Sequence, residues 1–282
     1  MKEIDFFKYE GTGNDFIVID EIDAPLGITP DIVRELCDRH YGIGADGVIL
    51  ARQSSDADFK MVFFNSDGSS AEMCGNGIRC YASYLFLHKR TEKTEIRLET
   101  DSGLKIVTLV VKQGIVEEAT VDMGKPNFIT KMIPVDSAGD NFIDKRLEIS
   151  GIDLNGTSLS MGNPHVVIFV DDLESVPISD YGEKIEQSSI FPNGVNVEFA
   201  RIDSSEEIEI IVWERGVGIT LSCGTGACAA TVAAVKNGLT NRRVRVKVPG
   251  GDLKVYWSES DCVFLSGPAK EVYSGRITIK RR

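Results

Sequence analysis

The chain of 282 residues has few basic side chains, and this limits the partners it can bind. Its 31 Lys and Arg stand against 43 Asp and Glu, which gives a formal charge of −12. Recognition of nucleic acids or anionic membranes needs clustered Lys and Arg. The one basic cluster, Lys280-Arg281-Arg282, is too short to indicate such a site. The composition therefore predicts neither a nucleic-acid nor a membrane partner.

Metal-binding motifs are also lacking. The chain has three histidines and six cysteines, without C-x-x-C or a Cys/His pair at zinc-finger spacing, so we predict no metal. Near the N-terminus, Glu3, Asp5, Lys8 and Glu10 stand where a signal peptide needs an apolar core. We therefore expect a cytoplasmic protein, in which disulfides are rare. We therefore expect each cysteine to be either a packing residue or a catalytic one.

Residues 216–235 form the longest stretch without charge, but a membrane helix is not the interpretation we favour. The stretch contains four glycines and several Ser and Thr residues, whereas a spanning helix is predominantly apolar. We predict a strand, a tight loop and a buried helix here.

The chain contains an internal repeat at an offset of 149 residues. M-C-G-N-G at 73–77 aligns with S-C-G-T-G at 222–226, and G-N-D-F-I-V-I from Gly13 aligns with G-N-P-H-V-V-I from Gly162. The segments before each cysteine align without a gap, as do 102–106 and 251–255. A shared register over most of the chain predicts two copies of one domain. We place them at 1–128, completed by 268–282, and at 129–267.

Each copy is predicted to contain an apolar strand, an amphipathic helix, further strands and a helix after the cysteine loop, which in the second copy is apolar nearly all round and expected to be buried. The helices are indicated by Pro30 before an apolar stripe and by i, i+3, i+4, i+7 spacing from Ile78 to Leu85. Strands outnumber helices, and many turns are too short for crossover helices. This favours an α+β fold with mixed or antiparallel sheets over a Rossmann sheet.

The two cysteine loops suggest acid–base chemistry. Cys74 and Cys223 each precede a glycine-rich turn that opens a helix. A helix N-terminus favours anions, and we expect it to lower the pKa of a nearby thiol. Thiols on opposite faces of one substrate carbon would suit a cofactor-free racemase or epimerase, in which one thiolate removes the α-proton and the other thiol returns one. A lone loop of this kind would more often bind phosphate or be a plain turn.

The chain as a whole resembles the diaminopimelate epimerases, which need no pyridoxal phosphate. The resemblance is carried by GTGNDFIVID, DRHYGIGADG, FFNSDGS, MCGNGIRC, MGNPHVVIFVDD, NGVNVEF, WERGVGITLSCGTGACAA, VPGGDLKV and SGPAKEVYSG. Proline and hydroxyproline racemases have the same fold, but their second loop typically reads P-C-G-T-G-T after Asp-Arg. The resemblance implies two sheet domains, each around a central helix, with the active site in the interdomain cleft. It also implies a homodimer that needs no cofactor, converts LL- to meso-diaminopimelate and serves lysine and peptidoglycan precursor synthesis.

The same resemblance assigns roles to residues. Cys74 and Cys223 are implied as the catalytic acid and base, with His165 and Glu214 orienting the thiols. The implied substrate-binding residues are Asn14, Asn65, Gly75, Asn76, Asn163, Asn196, Glu214, Arg215, Gly224 and Thr225. One departure is Gly47, where some family members have Gln, so a polar contact to the ligand is expected to be missing or made by water.

Simpler roles remain for several of these residues. Asn14 and Asn163 would also suit left-handed backbone beside glycine, Asn65 would suit a turn, and Glu214-Arg215 would suit a surface ion pair. The other cysteines, Cys37, Cys80, Cys228 and Cys262, are expected to pack as small hydrophobes. Two alternative functions stay open: another amino-acid racemase of this fold, such as one acting on proline, and a non-enzymatic thiol-redox or anion-binding module.

Overall fold

The structure, a computed structural model, describes residues 2–70, 74–149 and 151–279. Met73 of the first cysteine motif and the terminal basic cluster lie outside the described residues. The fold is α+β with mixed sheets, which confirms the predicted class. Two helices and seven strands come first: β1 Lys2–Gly11, β2 Asn14–Asp20, α1 Pro30–Cys37, β3 Gly47–Arg52, β4 Phe59–Asn65, α2 Gly75–Leu87, β5 Glu95–Thr100, β6 Gly103–Lys112 and β7 Ile115–Gly124.

The remaining elements follow a short 3₁₀ turn at Thr130–Met132. They are β8 Phe142–Arg146, β9 Asn155–Ser160, β10 Pro164–Phe169, α3 Ile178–Glu186, β11 Asn196–Ser204, β12 Glu207–Glu214, β13 Gly218–Thr220, α4 Gly224–Lys236, β14 Arg243–Val248, β15 Gly251–Trp257, β16 Val263–Gly267 and β17 Lys270–Ile279. The chain divides into two compact units, one of 1–121 with 267–282 and one of 122–266. Within the described residues, no helix is both long and apolar enough to span a membrane.

The first unit is built on a mixed sheet. Strand β1 pairs antiparallel with both β17 and β2, and β2 pairs parallel with β3. The order continues through antiparallel β3–β4, parallel β4–β5, and antiparallel β5–β6 and β6–β7. Each parallel pair needs a crossover, and the two crossovers of this unit contain α1 and α2.

The second unit repeats this pairing scheme. Strands β10 and β11 are parallel, β11 and β12 antiparallel, and β12 and β14 parallel, followed by antiparallel β14–β15 and β15–β16. The register also repeats, because Phe16 pairs with Gly47 in β2–β3 and His165 pairs with Asn196 in β10–β11. Both pairs are related by the offset of 149 residues that the sequence shows.

Helices α2 and α4 lie at the centres of their units. Helix α2 packs against β1, β2, β3, β6 and β17, and α4 packs against β9, β10, β11, β12, β14 and β15. Helix α4 has the composition GTGACAATVAAVK, and its small side chains let strands approach it on several sides. Helix α2 has larger side chains and buries Tyr81, Tyr84 and Leu85 completely or nearly so. Central burial fixes the positions of both helix N-termini.

Candidate active site

The two cysteines occupy equivalent places in the two units. Cys74 is the N-cap of α2 and Cys223 is the N-cap of α4, both with extended backbone (φ −135° and −123°). Each side chain therefore stands at the positive end of a helix, where first-turn N–H groups have no partner within the helix. The strand, tight loop and buried helix predicted over 216–235 are confirmed, and Cys74 precedes the helix predicted in the first copy.

In the first unit, Asn14 and Asn76 surround the Cys74 thiol. Cys74 Sγ lies 3.6 Å from Asn14 Oδ1 and accepts a hydrogen bond from the Gly77 N–H at 3.4 Å. Asn76 Nδ2 donates to the same Asn14 oxygen at 3.4 Å. The positive φ in this segment falls on Thr12 and Gly13 rather than on Asn14, so Asn14 is not there to adopt a left-handed turn.

A network of charged side chains, of which only Lys8 is buried, holds Asn14 in place. Asn14 Nδ2 donates to Asp46 Oδ2 at 2.5 Å, and Asp46 also accepts from Arg39 at 2.8 Å. Arg39 and the buried Lys8 both pair with Asp15 at 2.7 Å. Burial favours protonation of Asp15, but the hydrogen bonds from Arg39 and Lys8 outweigh it and lower the pKa of Asp15 to about 2.

The other predicted residues of the first unit are more dispersed. Gly75 and Asn76 form the first turn of α2. Asn65, at the end of β4, binds Ser69 Oγ at 3.0 Å in the turn that follows, and Gly47 is its cross-strand partner. A side chain at Gly47 would meet the Phe64 carbonyl oxygen at 2.5 Å and the Phe63 ring at 2.6 Å. Phe63 thus occupies the space that a Gln at this position would need.

In the second unit, hydrogen-bonded side chains lead to the Cys223 sulfur. Cys223 Sγ lies 3.4 Å from Thr225 Oγ1, and Asn163 Nδ2 donates to that hydroxyl at 3.4 Å. Asn163 Oδ1 lies 2.9 Å from His165 Nε2, and the fully buried His165 ring contacts Glu198 Oε1 through Nδ1 at 2.7 Å. Three predicted residues, Asn163, His165 and Thr225, are thereby brought together at Cys223.

The remaining predicted residues of this unit lie at the end of β12 and beside it. Asn196 is buried, and its amide donates to the Pro164 carbonyl at 2.9 Å and accepts from the Arg215 N–H at 3.0 Å. The Arg215 guanidinium donates to the Asn193 carbonyl at 3.1 Å. Glu214 accepts from the Thr220 hydroxyl at 2.6 Å. Gly224 opens α4 next to Thr225.

The expected low thiol pKa is wrong for Cys223. Burial raises its pKa well above the ordinary value, and the negative charge of Glu214 raises it further. Hydrogen bonds from Thr225 and the Gly226 N–H act in the opposite direction but do not outweigh burial. Without substrate, Cys223 is therefore a neutral thiol, which is the form needed to donate a proton.

Two buried charged residues near these loops were missed by the sequence reasoning. Glu198 is a fully buried acid near the start of β11. Arg79 is fully buried in α2, where it donates to the Gly75 carbonyl at 3.0 Å and the Thr12 hydroxyl at 3.2 Å. The available signal was a charged residue inside an otherwise apolar strand or helix, because such groups are seldom buried without a specific partner.

The remaining cysteines pack as expected. Cys37, Cys80 and Cys228 are buried, Cys262 is half-buried, and none of the six cysteines forms a disulfide. Burial raises the pKa of Cys37 to about 11. Among the described residues, no group of three or more His, Cys, Asp or Glu side chains is placed to hold a metal ion.

Comparison with known proteins identifies relatives over nearly the full chain. The model of the family described as diaminopimelate epimerase matches residues 6–129 and 157–272. The diaminopimelate epimerase of Halothermothrix orenii is 46% identical over 282 residues, covering 99% of each chain. That of Leptospira biflexa is 44% identical, covering 98% of this chain and 100% of the relative.

Solved structures with much lower identity have the same fold. A phenazine biosynthesis protein of the PhzF family from Bacillus anthracis superimposes with a TM-score of 0.70 at 16% identity, covering 99% of this chain and 100% of that one. A hydroxyproline epimerase from Agrobacterium vitis gives a TM-score of 0.70 at 15% identity, covering 98% and 92%. At this identity the likeness concerns the fold alone.

Proposed function

The chain belongs to the diaminopimelate epimerase family and is an isomerase, and from this premise we propose that it interconverts LL- and meso-2,6-diaminopimelate. The observation that carries the proposal is the pair of thiols at equivalent helix N-caps, Cys74 and Cys223. In the proposed reaction the thiolate of one cysteine removes the α-proton, and the thiol of the other adds a proton to the opposite face of the carbon. In each turnover one proton moves from the α-carbon to the thiolate and one moves from the other thiol to the carbon, so the substrate and product have the same composition.

The helix ends supply the electrostatic part of the reaction. Removal of the α-proton places negative charge on the substrate carbon and its carboxylate. First-turn N–H groups of α2 and α4, at Gly75-Asn76 and Gly224-Thr225, are suited to stabilise that charge. The neutral thiol of Cys223 fits the donor in one direction of the reaction. Neither a metal nor pyridoxal phosphate is needed in this scheme, because the thiols transfer the protons and the helix ends stabilise the negative charge.

The non-reacting end of the substrate carries a second carboxylate and ammonium group. We propose that Asn14, Asn65, Asn163, Asn196 and Arg215 bind it, and that His165 and Glu214 orient the thiols. Amides and a guanidinium match such a zwitterion in hydrogen-bond type. Asn14, Asn163 and Asn196 are already anchored by protein contacts, which supports pre-organised binding.

We also propose domain bounds, an oligomeric state and a cellular location for the enzyme. The functional halves would be 1–128 with 268–282, and 129–267, a division supported by the two compact units. We propose a cytoplasmic homodimer acting in lysine and peptidoglycan precursor synthesis. A reducing compartment suits a reaction that depends on two unpaired thiols.

The direct test follows the α-proton. Incubation with LL-diaminopimelate in heavy water should incorporate deuterium at the α-carbon and produce the meso isomer. Cys74→Ala and Cys223→Ala should each abolish stereoisomer conversion, and Cys262→Ala, outside both loops, should retain it. Absence of both conversion and deuterium uptake in the unmodified enzyme would refute the proposal. A panel including proline separates it from a racemase of the same fold, because only a diaminopimelate enzyme requires the second carboxylate.

A further inference from the structure

The two cysteine loops rest on different side chains, although their backbones are equivalent. At the repeat offset, Glu198 corresponds to Ile49 and His165 corresponds to Phe16, with the same strand register. An added Cβ at Gly77 of α2 would lie 3.4 Å from Ile49 Cδ1. An added Cβ at the equivalent Gly226 of α4 would lie 2.8 Å from Glu198 Oε1 and 3.4 Å from Cys223 Sγ. A buried acid thus stands near Cys223 where the other unit has a hydrocarbon.

The contacts around Glu198 fix the number of protons that the Glu198–His165 pair holds. His165 Nε2 faces the carbonyl oxygen of Asn163, because the Asn163 amide nitrogen is directed to Thr225. Nε2 must therefore carry a proton and donate it. His165 Nδ1 faces Glu198 Oε1 at 2.7 Å, and this contact also requires a proton. The pair then holds two protons and has no net charge.

Two observations place the second proton on Glu198. Both side chains are fully buried, where separated charges are costly. In addition, Glu198 Oε2 is buried and has no hydrogen-bond partner among the described residues. An unpartnered carbonyl oxygen of a neutral acid costs less free energy than an unpartnered oxygen of a carboxylate. Burial likewise raises the pKa of Glu198.

With this proton in place, every hydrogen bond from Glu198 to the sulfur points the same way. Glu198 donates to His165, His165 donates to Asn163, Asn163 donates to the Thr225 hydroxyl, and that hydroxyl is left to donate to Cys223 Sγ. A donor aimed at the sulfur stabilises its thiolate, and hydrogen bonds in a chain polarise one another. We infer that Glu198 is a positioning residue which, as a neutral carboxylic acid, starts a one-way donor chain ending on Cys223.

The inference rests on the proposed acid–base role of Cys223 and adds a residue with no counterpart in the other unit. The titratable groups that face this region are His165 from β10, Glu214 from β12 and Cys223 itself from the start of α4. Glu214 opposes ionisation of Cys223 by its charge. The donor chain offsets part of this opposition, so that Cys223 can alternate between thiol and thiolate.

The test measures the reactivity of Cys223 rather than turnover. Iodoacetamide alkylation of Cys223, resolved by peptide mass spectrometry over a pH series, gives the midpoint at which the thiolate forms. Glu198→Gln keeps a neutral donor and should leave the midpoint unchanged. Glu198→Leu removes the donor and should shift the midpoint up by about one pH unit, which is a roughly tenfold lower rate below the midpoint. Glu206→Gln, which removes an exposed carboxylate, is the control for net charge.

Each alternative outcome is decisive. Equal shifts in Glu198→Gln and Glu198→Leu would mean that Glu198 acts as a carboxylate, and no shift in Glu198→Leu would remove its role. If the Leu variant does not fold, ¹⁵N NMR of the histidines in the unmodified protein still applies. His165 should be a neutral ring protonated at Nε2, and an imidazolium or an Nδ1–H ring would overturn the inference. Neither readout needs substrate, so failure here is distinguishable from failure of the epimerase proposal.

Discussion

Asp46 determines which end of the Asn14 amide faces Cys74. Its carboxylate accepts from Asn14 Nδ2 at 2.5 Å, which directs Asn14 Oδ1 to the sulfur. Asp46→Asn would allow the amide to turn over and should lower kcat/KM about tenfold, the usual effect of losing one charged hydrogen bond of about 1.5 kcal/mol. Steady-state kinetics with LL-diaminopimelate checks this. Asp56→Asn, at an exposed turn, should keep normal kinetics, and an unchanged kcat/KM in Asp46→Asn would contradict the assignment.

Asp46 and Glu198 also show that the hydrogen-bond partners of the site residues could not be predicted from the sequence. The repeat and the family motifs mark Cys74, Cys223, Asn163 and His165 as candidate site residues without any coordinates. The partner of each side chain depends on the register of strands that are distant in sequence. Asn14 and Asp46 meet because β2 and β3 pair in parallel, and His165 meets Glu198 through the pairing of β10 with β11. Composition and spacing do not specify that register.

At the scale of elements, the equivalent glycines of α2 and α4 differ in their tolerance of a methyl group. An added Cβ at Gly77 would make only ordinary contacts of 3.4 Å or more, whereas at Gly226 it would lie 2.8 Å from Glu198 Oε1. Gly77→Ala should leave the free energy of unfolding unchanged or raise it by up to about 1 kcal/mol, since alanine favours helix. Gly226→Ala should lower it by about 1–3 kcal/mol through overpacking. Urea unfolding of both variants checks this prediction. Equal changes in the free energy of unfolding would contradict it.

The network of Lys8, Asp15 and Arg39 ties β1, β2 and the segment after α1 together, and its contribution depends on pH. The pKa of Asp15 is lowered from 3.8 to about 2, so the stabilisation is full above the unfolded-state value and is lost as the pH falls towards 2. Asp15→Asn should cost about 1–2 kcal/mol near neutral pH, after allowance for solvent screening. The difference from the unmodified protein should vanish at the acid end. Urea unfolding across this pH range measures the difference, with the exposed-site variant Asp153→Asn as control. A difference between Asp15→Asn and the unmodified protein that does not change with pH would contradict this role of the network.

Helices and inner strands are more predictable here than edge pairings. Helix α1 begins at Pro30, as the sequence indicates, and α4 ends at Lys236, one residue beyond the stretch 216–235 in which the sequence predicts a helix. The pairing of β1 with β17 joins the two ends of the chain, with Lys2 opposite Ile279. Most of β17 is exposed, including Val272 and Tyr273, so it lacks the alternation that marks a half-buried strand. The burial pattern of β17 therefore does not indicate which strand it pairs with, although the segment is expected to complete the first domain.

For the whole molecule, the proposed two-base reaction requires the thiols of both units to reach the same substrate carbon. Two thiols that can do so are expected to oxidise to an inactivating disulfide on exposure to air. Aerobic storage should therefore abolish epimerisation, dithiothreitol should restore it, and peptide mapping should find Cys74 linked to Cys223. Cys74→Ser is the control, because it should show no such cross-linked peptide. Substrate bound during storage should protect the enzyme, since in the two-base scheme it would separate the two sulfurs. Full activity after prolonged aerobic storage, with both thiols still alkylatable, would count against a shared carbon and hence against the two-base scheme.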